Sequence, residues 1–504
     1  MKNIKIGLAI GMLALTAFTS CKKLELTPFT AIPTEDAFKT VRDAQTWNNG
    51  IYAFLRGRQY GAYTITQDVQ ADQLNASLAY GNRNGAPHRW GDSFQAGETT
   101  DKWSAYYSAI ANINLIIQGY TTITPNTAAE TASLNKYKGD AYLARAYYYH
   151  QLALRFCKAY NPTTATTDLG LPLVLTYINP IYAELPSRAT LKATFDQILA
   201  DIAIAKPLLS STAGVQGAVS FNIDVANALE ARILLDMQDW TGAYNLSNAL
   251  IVGNKYPLLN TAAALKAYWH TDTRQESILQ LFTSTAAGEG VNTNSIYLGF
   301  TVGTGGAANY FTPDFIPTKK ILDTYADNDF RKAIYFEPKR VIIENITYNN
   351  TIQLVNKYPG NPALFTSTNT NYAHAPKVFR IAEQYLIAAE AAANGGNPSN
   401  ALTALNALRV SRGLEAVVGL TGTPLTQAIR DERTRELAFE GFRLFDMKRW
   451  GLGFTGREAQ NVNVINTGAN FNLLTIDAAN PKFTWGLPPS EITINSNLTQ
   501  NPGW

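Results

Sequence analysis

Histidine and cysteine are scarce in this chain of 504 residues, which carries four His (His88, His150, His270, His374) and two Cys (Cys21, Cys157). Two cysteines exclude a disulfide framework. No two histidines lie one helical turn apart, which excludes an HExxH motif and leaves a His-rich zinc site without support. Charge is sparse too, at 16% of residues, with 42 basic against 39 acidic for a net of +3. That near-balance excludes the basic stripe on which nucleic-acid binding depends. After residue 18 no second apolar run is long enough to span a bilayer.

Apolar and aromatic residues are plentiful. The apolar share is 46%, enough for a sizeable core, and the length suits one large domain or two to three ordinary ones. Aromatics reach 11%, including 26 Tyr and 8 Trp. That exceeds what a core requires and points to a surface that stacks on ligands.

The start of the chain reads as an address. Lys2 and Lys5 supply a positive end, and Gly7 to Phe18 is an apolar run too short to cross about 30 Å of hydrocarbon. Residues 1–20, closing on the small Thr19 and Ser20, read as a secretory signal peptide. Cys21 follows directly, ahead of Lys22 and Lys23, in an arrangement that resembles a bacterial lipoprotein signal. Cys21 is then the acylated first residue and the membrane anchor; at about 0.8 kcal/mol per buried CH₂, two or three chains hold a protein firmly. Cys157, within an aromatic helix, is expected to be a buried apolar residue.

Leu24 to Pro33 reads as an extended leader, after which helical periodicity dominates. Helices are expected over Thr34–Leu55, Asp101–Gly119, Leu134–Phe156 and Thr190–Leu209. Asn222–Met237 with Gly242–Val252, and Phe379–Ala393 with Ser399–Arg412, form helix–turn–helix pairs near the size of tetratricopeptide units, roughly 34 residues. Between the pairs, residues 260–375 are rich in Thr, Asn and Gly, with strand-like runs at Ile278–Phe282, Val341–Ile346 and Ile352–Val355. The expected fold is α-dominated: tetratricopeptide-like helical repeats, a loop-rich insertion at 260–375 and a few short strands, in one domain over residues 21–504.

Few motifs carry catalytic chemistry. Gly451, Gly453 and Gly456 satisfy G-x-G-x-x-G, but they follow a helix where the dinucleotide fingerprint needs a strand. Gly303 to Gly306 lacks the Lys-Ser/Thr of a phosphate loop and reads as a flexible turn. Asp323, Asp327 and Asp329 cluster without an EF-hand frame and read as a solvated turn. Glu432, Glu436 and Glu440 lie one turn apart on an expected helix, and two such carboxylates suit a retaining glycosidase. Arg433–Glu436 and Glu440–Arg443, however, have the spacing of structural i,i+3 pairs, and nearby arginines depress the pKa that a catalytic acid needs raised. No cofactor or metal is called for.

Asp68 to Glu98 has loop composition and carries aromatics. Sugars present an apolar C–H face and a hydroxyl rim, which flat rings flanked by amides and arginines recognise. Tyr80, Trp90, Trp103, Trp269, Tyr297, Tyr310 and Phe311 are such rings in polar surroundings. Tyr80, Trp90 and Tyr310 are the expected stacking platforms, with Asn82 and Arg83 hydrogen-bonding hydroxyls.

Five segments, in order, resemble those of SusD/RagB-type nutrient-binding lipoproteins. They are Tyr137–Phe156 (YKGDAYLARAYYYHQLALRF), Tyr325–Arg331 (YADNDFR), Val378–Asn394 (VFRIAEQYLIAAEAAAN), Asp431–Gly451 (DERTRELAFEGFRLFDMKRWG) and Trp485–Trp504 (WGLPPSEITINSNLTQNPGW). The last departs from the family pattern at Leu487 and Trp504, where Ile and Tyr are usual, and residues 376–504 hold the C-terminal signature. The resemblance implies an outer-membrane lipoprotein facing the cell exterior, with about four tetratricopeptide-like helix pairs and a loop-built binding face. It also implies a SusC-type TonB-dependent transporter as partner and a non-enzymatic role, binding a glycan and delivering it uncleaved. The family's motifs do not carry its ligand residues. Peptide or protein binding on the concave helical surface is the alternative reading.

Overall fold

Thr40, Thr127, Thr190, Asn222 and Asp239 each accept a backbone N–H from three residues on, and each starts a helix. The computed structural model describes residues 36–504 apart from 92–96, 178–184, 287–288, 292, 294, 298 and 305–307. The expected signal peptide, the expected anchor Cys21, the leader and Phe94 lie outside the described residues, as do Gly305 and Gly306. No described helix is long and apolar enough to cross a membrane.

The first half runs α1 (Val41–Arg56), α2 (Ala62–Gln70), β1 (Leu74–Ala76), α3 (Gly85–Arg89), α4 (Glu98–Tyr120), α5 (Ala128–Phe156), α6 (Leu191–Leu209), α7 (Ile223–Asp236), α8 (Trp240–Val252) and α9 (Ala262–His270). The inserted segment adds β2 (Ser277–Gln280), β3 (Phe300–Thr301), β4 (Tyr310–Phe311), β5 (Phe315–Pro317), α10 (Lys319–Asp323), α11 (Phe330–Tyr335), β6 (Phe336–Ile343), β7 (Ile346–Val355) and β8 (Lys377–Arg380). Helices α12 (Ile381–Asn394), α13 (Pro398–Ser411), α14 (Gly422–Glu436) and α15 (Arg443–Trp450) follow.

Helices pack as sequential neighbours, α4 on α5, α5 on α6, α7 on α8 and α12 on α13. Helix α8 also packs on α12, so the tetratricopeptide-like stack resumes across the insertion. Small residues allow this: Ala243 on α8 and Ala388, Ala391 and Ala392 on α12 are all buried. The main core is aromatic, with Trp103, Tyr106, Tyr148 and Phe156 joined by Trp485 from the C-terminal segment. Cys157 is fully buried there, and burial pushes its thiol up to about 11.

The insertion is closed at its neck by the antiparallel β2–β8 pair, with Ser277 opposite Arg380. Beyond the neck, β3-β4-β6-β7 form one sheet and β1 pairs with β5, Ala76 opposite Phe315. The expected helix at Phe379 therefore starts two residues later, because Lys377–Arg380 are used as a strand. The first helix likewise begins at Val41 rather than near Thr34, where Thr40 and Asp43 form a capping box.

A second correction concerns Asp431–Gly451. The expected continuous helix breaks after Glu436, with Phe439 at φ 62° and Gly441 at φ 81°. The positive φ at Gly441 is the conformation that favours glycine, and an added Cβ would also press on the Gln67 amide at 2.8 Å. Glu440 thus leaves the helix face shared by Glu432 and Glu436. The two expected i,i+3 pairs are replaced by longer-range ones: Arg433 pairs with Asp446 and Arg443 with Asp72. Glu436 accepts from Arg331 at 2.9 Å, Arg380 at 2.9 Å and Arg412 at 3.0 Å, all buried. Arg412 also donates to Leu259 O and to Glu276. These arginines hold the Glu436 carboxyl well below its usual range, so it has no proton to give as a catalytic acid.

Candidate ligand-binding face

The turn after β1 reads Tyr80-Gly81-Asn82-Arg83-Asn84, and Gly81, Asn82 and Asn84 all take left-handed backbone. Glycine and asparagine tolerate that conformation, which explains why this polar stretch forms a tight projecting turn. Tyr80 is half-buried and Asn82 and Arg83 are exposed. Arg89, from α3, donates to the Tyr80 hydroxyl at 2.6 Å and to Asn82 Oδ1 at 2.9 Å. The Tyr80 ring meets Phe315 and Phe471 edge-on at 6.1 and 6.3 Å, and the Arg89 guanidinium lies 5.6 Å from the Phe471 ring centre. Tyr80 is therefore a ring fixed in orientation, with a polar rim supplied by Asn82 and Arg89.

Arg83 Nη2 reaches Asp314 Oδ1 at 2.6 Å. Burial pushes the Asp314 carboxyl up to about 6 even though the Arg83 charge opposes the shift. Ser77 donates to the carbonyls of Asp314 and Pro313, which fastens this turn to the segment Tyr310–Pro317.

Tyr310 lies at the other end of that segment, half-buried on β4. The Arg340 guanidinium sits 6.0 Å from its ring centre. Phe311, next along the strand, meets Phe300 at 5.2 Å and lies 5.4 Å from Lys339 Nζ. With Phe365, Asn309 and Thr370 these line an open cavity of about 470 Å³. Tyr80, Asn82 and Arg83 thus share one turn, and Tyr310 lies on the segment that carries Asp314, the carboxylate Arg83 reaches.

Trp90 does not join them. Its backbone is left-handed, its indole N–H donates to Gln70 O at 2.8 Å, and its ring packs edge-on against Phe483 at 4.8 Å. At 5% exposure it is a core residue, which corrects its expected role as a platform. Trp103, Trp269 and Tyr297 are buried as well. Trp269 lies under Lys357 and Arg380, while Tyr297 donates to Asp68. Arg89 and Phe471 were missed by sequence reasoning; the basic residue within the Asn-rich stretch was a usable signal for Arg89, whereas Phe471 arrives from 390 residues away.

The acidic cluster at 323–329 is internally satisfied. Asp323 pairs with Lys319, Asp327 with Lys332 and Asp329 with Arg331.

Two family profiles match the chain. One, described as the SusD family, covers residues 282–504. The other, described as starch-binding and associating with the outer membrane, covers residues 33–235. The chain is 25% identical to SusD-like protein P2 of Formosa agariphila over the whole of both chains. It is 22% identical to SusD-like protein P25 of the same organism, over 86% of this chain and 87% of that one. A SusD superfamily protein from Bacteroides thetaiotaomicron superposes with a TM-score of 0.75 at 23% identity, over 92% of this chain and 100% of the other. A laminarin-binding SusD-like protein superposes with a TM-score of 0.69 at 19% identity, over 93% and 100%. With both profiles falling in order along a fold shared by these structures, the chain belongs to the SusD family.

Proposed function

We propose that this protein is a lipoprotein of the outer membrane, anchored through Cys21 and facing the cell exterior. There it captures a nutrient glycan and passes it uncleaved to a SusC-type TonB-dependent transporter. The observation that carries the reading is the Tyr80–Asn82–Arg89 cluster, a ring held half-exposed by its own polar rim in the turn after β1. Rings of this kind take the apolar face of a sugar while the adjoining amide and guanidinium groups take its hydroxyls. The family profile described as starch-binding and the relative described as laminarin-binding support a glycan over a peptide. The burial and triple ion pairing of Glu436 support binding without hydrolysis.

The test is a thermal-shift screen of the purified protein against starch, laminarin and other soluble polysaccharides, with oligopeptides as the comparison set. A polysaccharide that raises the melting temperature of the wild type and not of a Tyr80→Ala, Tyr310→Ala double variant supports the reading. A response to oligopeptides alone rejects it.

A further inference from the structure

Helices α7, α8, α12, α14 and α15 meet around a cavity of about 190 Å³ that shares no residue with the loop face. Its wall includes Trp240, Ile429, Arg430, Arg449, Trp450 and Glu390. Both Glu390 oxygens are engaged, by the Arg449 guanidinium and by the Trp450 indole N–H at 2.8 Å. Asp446 accepts from Arg433 and Arg449, each at 2.9 Å. Two guanidiniums, Arg433 and Arg449, therefore engage the two carboxylates, and Arg430 hydrogen-bonds to neither.

Arg430 lies 5.1 Å from the Trp450 ring centre, and Arg449 lies 4.8 Å from it. Among the described residues, Arg430 Nε and Arg433 Nη1 are shielded from solvent yet hydrogen-bond to nothing. A charged donor buried without a partner is costly, and an acceptor brought by a ligand relieves that cost. Asp236 also lines this cavity, with Oδ2 2.8 Å from His150 Nε2.

We propose that this cavity binds a small carboxylate, its anionic group on Arg430 and its hydroxyl or ammonium hydrogens on Asp236. A planar guanidinium with an open edge suits a carboxylate, and Trp240 and Ile429 supply an apolar wall for the carbon skeleton. Sugar acids and amino acids share this chemistry.

Isothermal titration of the purified protein with glucuronate and with alanine tests the site, using glucose and alaninamide as counterparts without the carboxylate. The expected result is saturable binding of at least one carboxylate, at least tenfold tighter than its counterpart and weakened at least tenfold by Arg430→Gln. A glucuronate response assigns the site to sugar acids and an alanine response to amino acids. Thr426→Trp, which fills the cavity from a half-exposed position on α14, is the second variant and abolishes the same binding. Absence of saturable binding by both carboxylates overturns the proposal, as does equal affinity in the wild type and both variants. Polysaccharide shifts at the loop face are unaffected by either substitution, so the two sites are judged separately.

Discussion

Arg83 Nη2 stands 2.6 Å from Asp314 Oδ1, an exposed guanidinium set on a carboxylate that is 1% exposed. Burial outweighs the attraction, and the carboxyl titrates at about 6 in the fold against about 3.9 in an unfolded chain. Between those values the folded protein holds a proton that the unfolded chain has released, so this group's stabilisation is full below about pH 4 and is lost as pH rises through 6. Asp314→Asn removes the titration. Melting curves at pH 4.5 and 6.5 will show the variant gaining on the wild type at the higher pH; a constant gap between them contradicts the assignment.

Trp90 and Tyr310 separate packing from recognition. Trp90→Ala empties a core site and is expected to lower stability by about 3–5 kcal/mol while leaving glycan affinity intact in the folded fraction. Tyr310→Ala is expected to leave stability within about 1 kcal/mol and to weaken binding by roughly two- to tenfold, the worth of one aromatic contact. Chemical denaturation and titration with the polysaccharide found by screening measure the two effects.

Glu436→Gln strips the carboxylate from three buried arginines. The expected loss is about 3–5 kcal/mol, the cost of breaking a buried ion pair from one side, read as a lower urea midpoint. The wild type is expected to release no sugar from any polysaccharide. Sugar release that disappears in this variant would restore the glycosidase reading.

Cys21→Ala removes the sulfur that acylation requires. The variant is expected in the soluble fraction after cell lysis while the wild type pellets with membranes; unchanged fractionation rejects the anchor.

Local signals were the legible ones. Thr190, Asn222 and Asp239 cap helices where short polar residues precede apolar periodicity, and the small residues of α8 and α12 betray close helix approach. Tertiary partners were not legible. Trp90 and Tyr80 sit in the same polar stretch and look alike in sequence; Trp90 is buried by Phe454 and Phe483, which arrive from the far end of the chain. Glu440 has helical spacing from Glu436, yet the left-handed backbone at Phe439 and Gly441, with the Gly441 N–H donated to Asp68, breaks the helix there. The partners of Glu436 come from Arg331, Arg380 and Arg412, whose convergence only the folded insertion creates.

The β2–β8 neck and the reach of Arg412 to Leu259, Glu276 and Glu436 tie both ends of the inserted segment into a single knot. Closing a longer loop between fixed gateposts costs little, about 0.6 kcal/mol per doubling of length. Length is therefore cheap to add in the exposed loops between Gln280 and Lys377, whereas Arg331, which pairs with Glu432 and Glu436, and β5, which pairs with β1, are anchor points that any graft would have to keep.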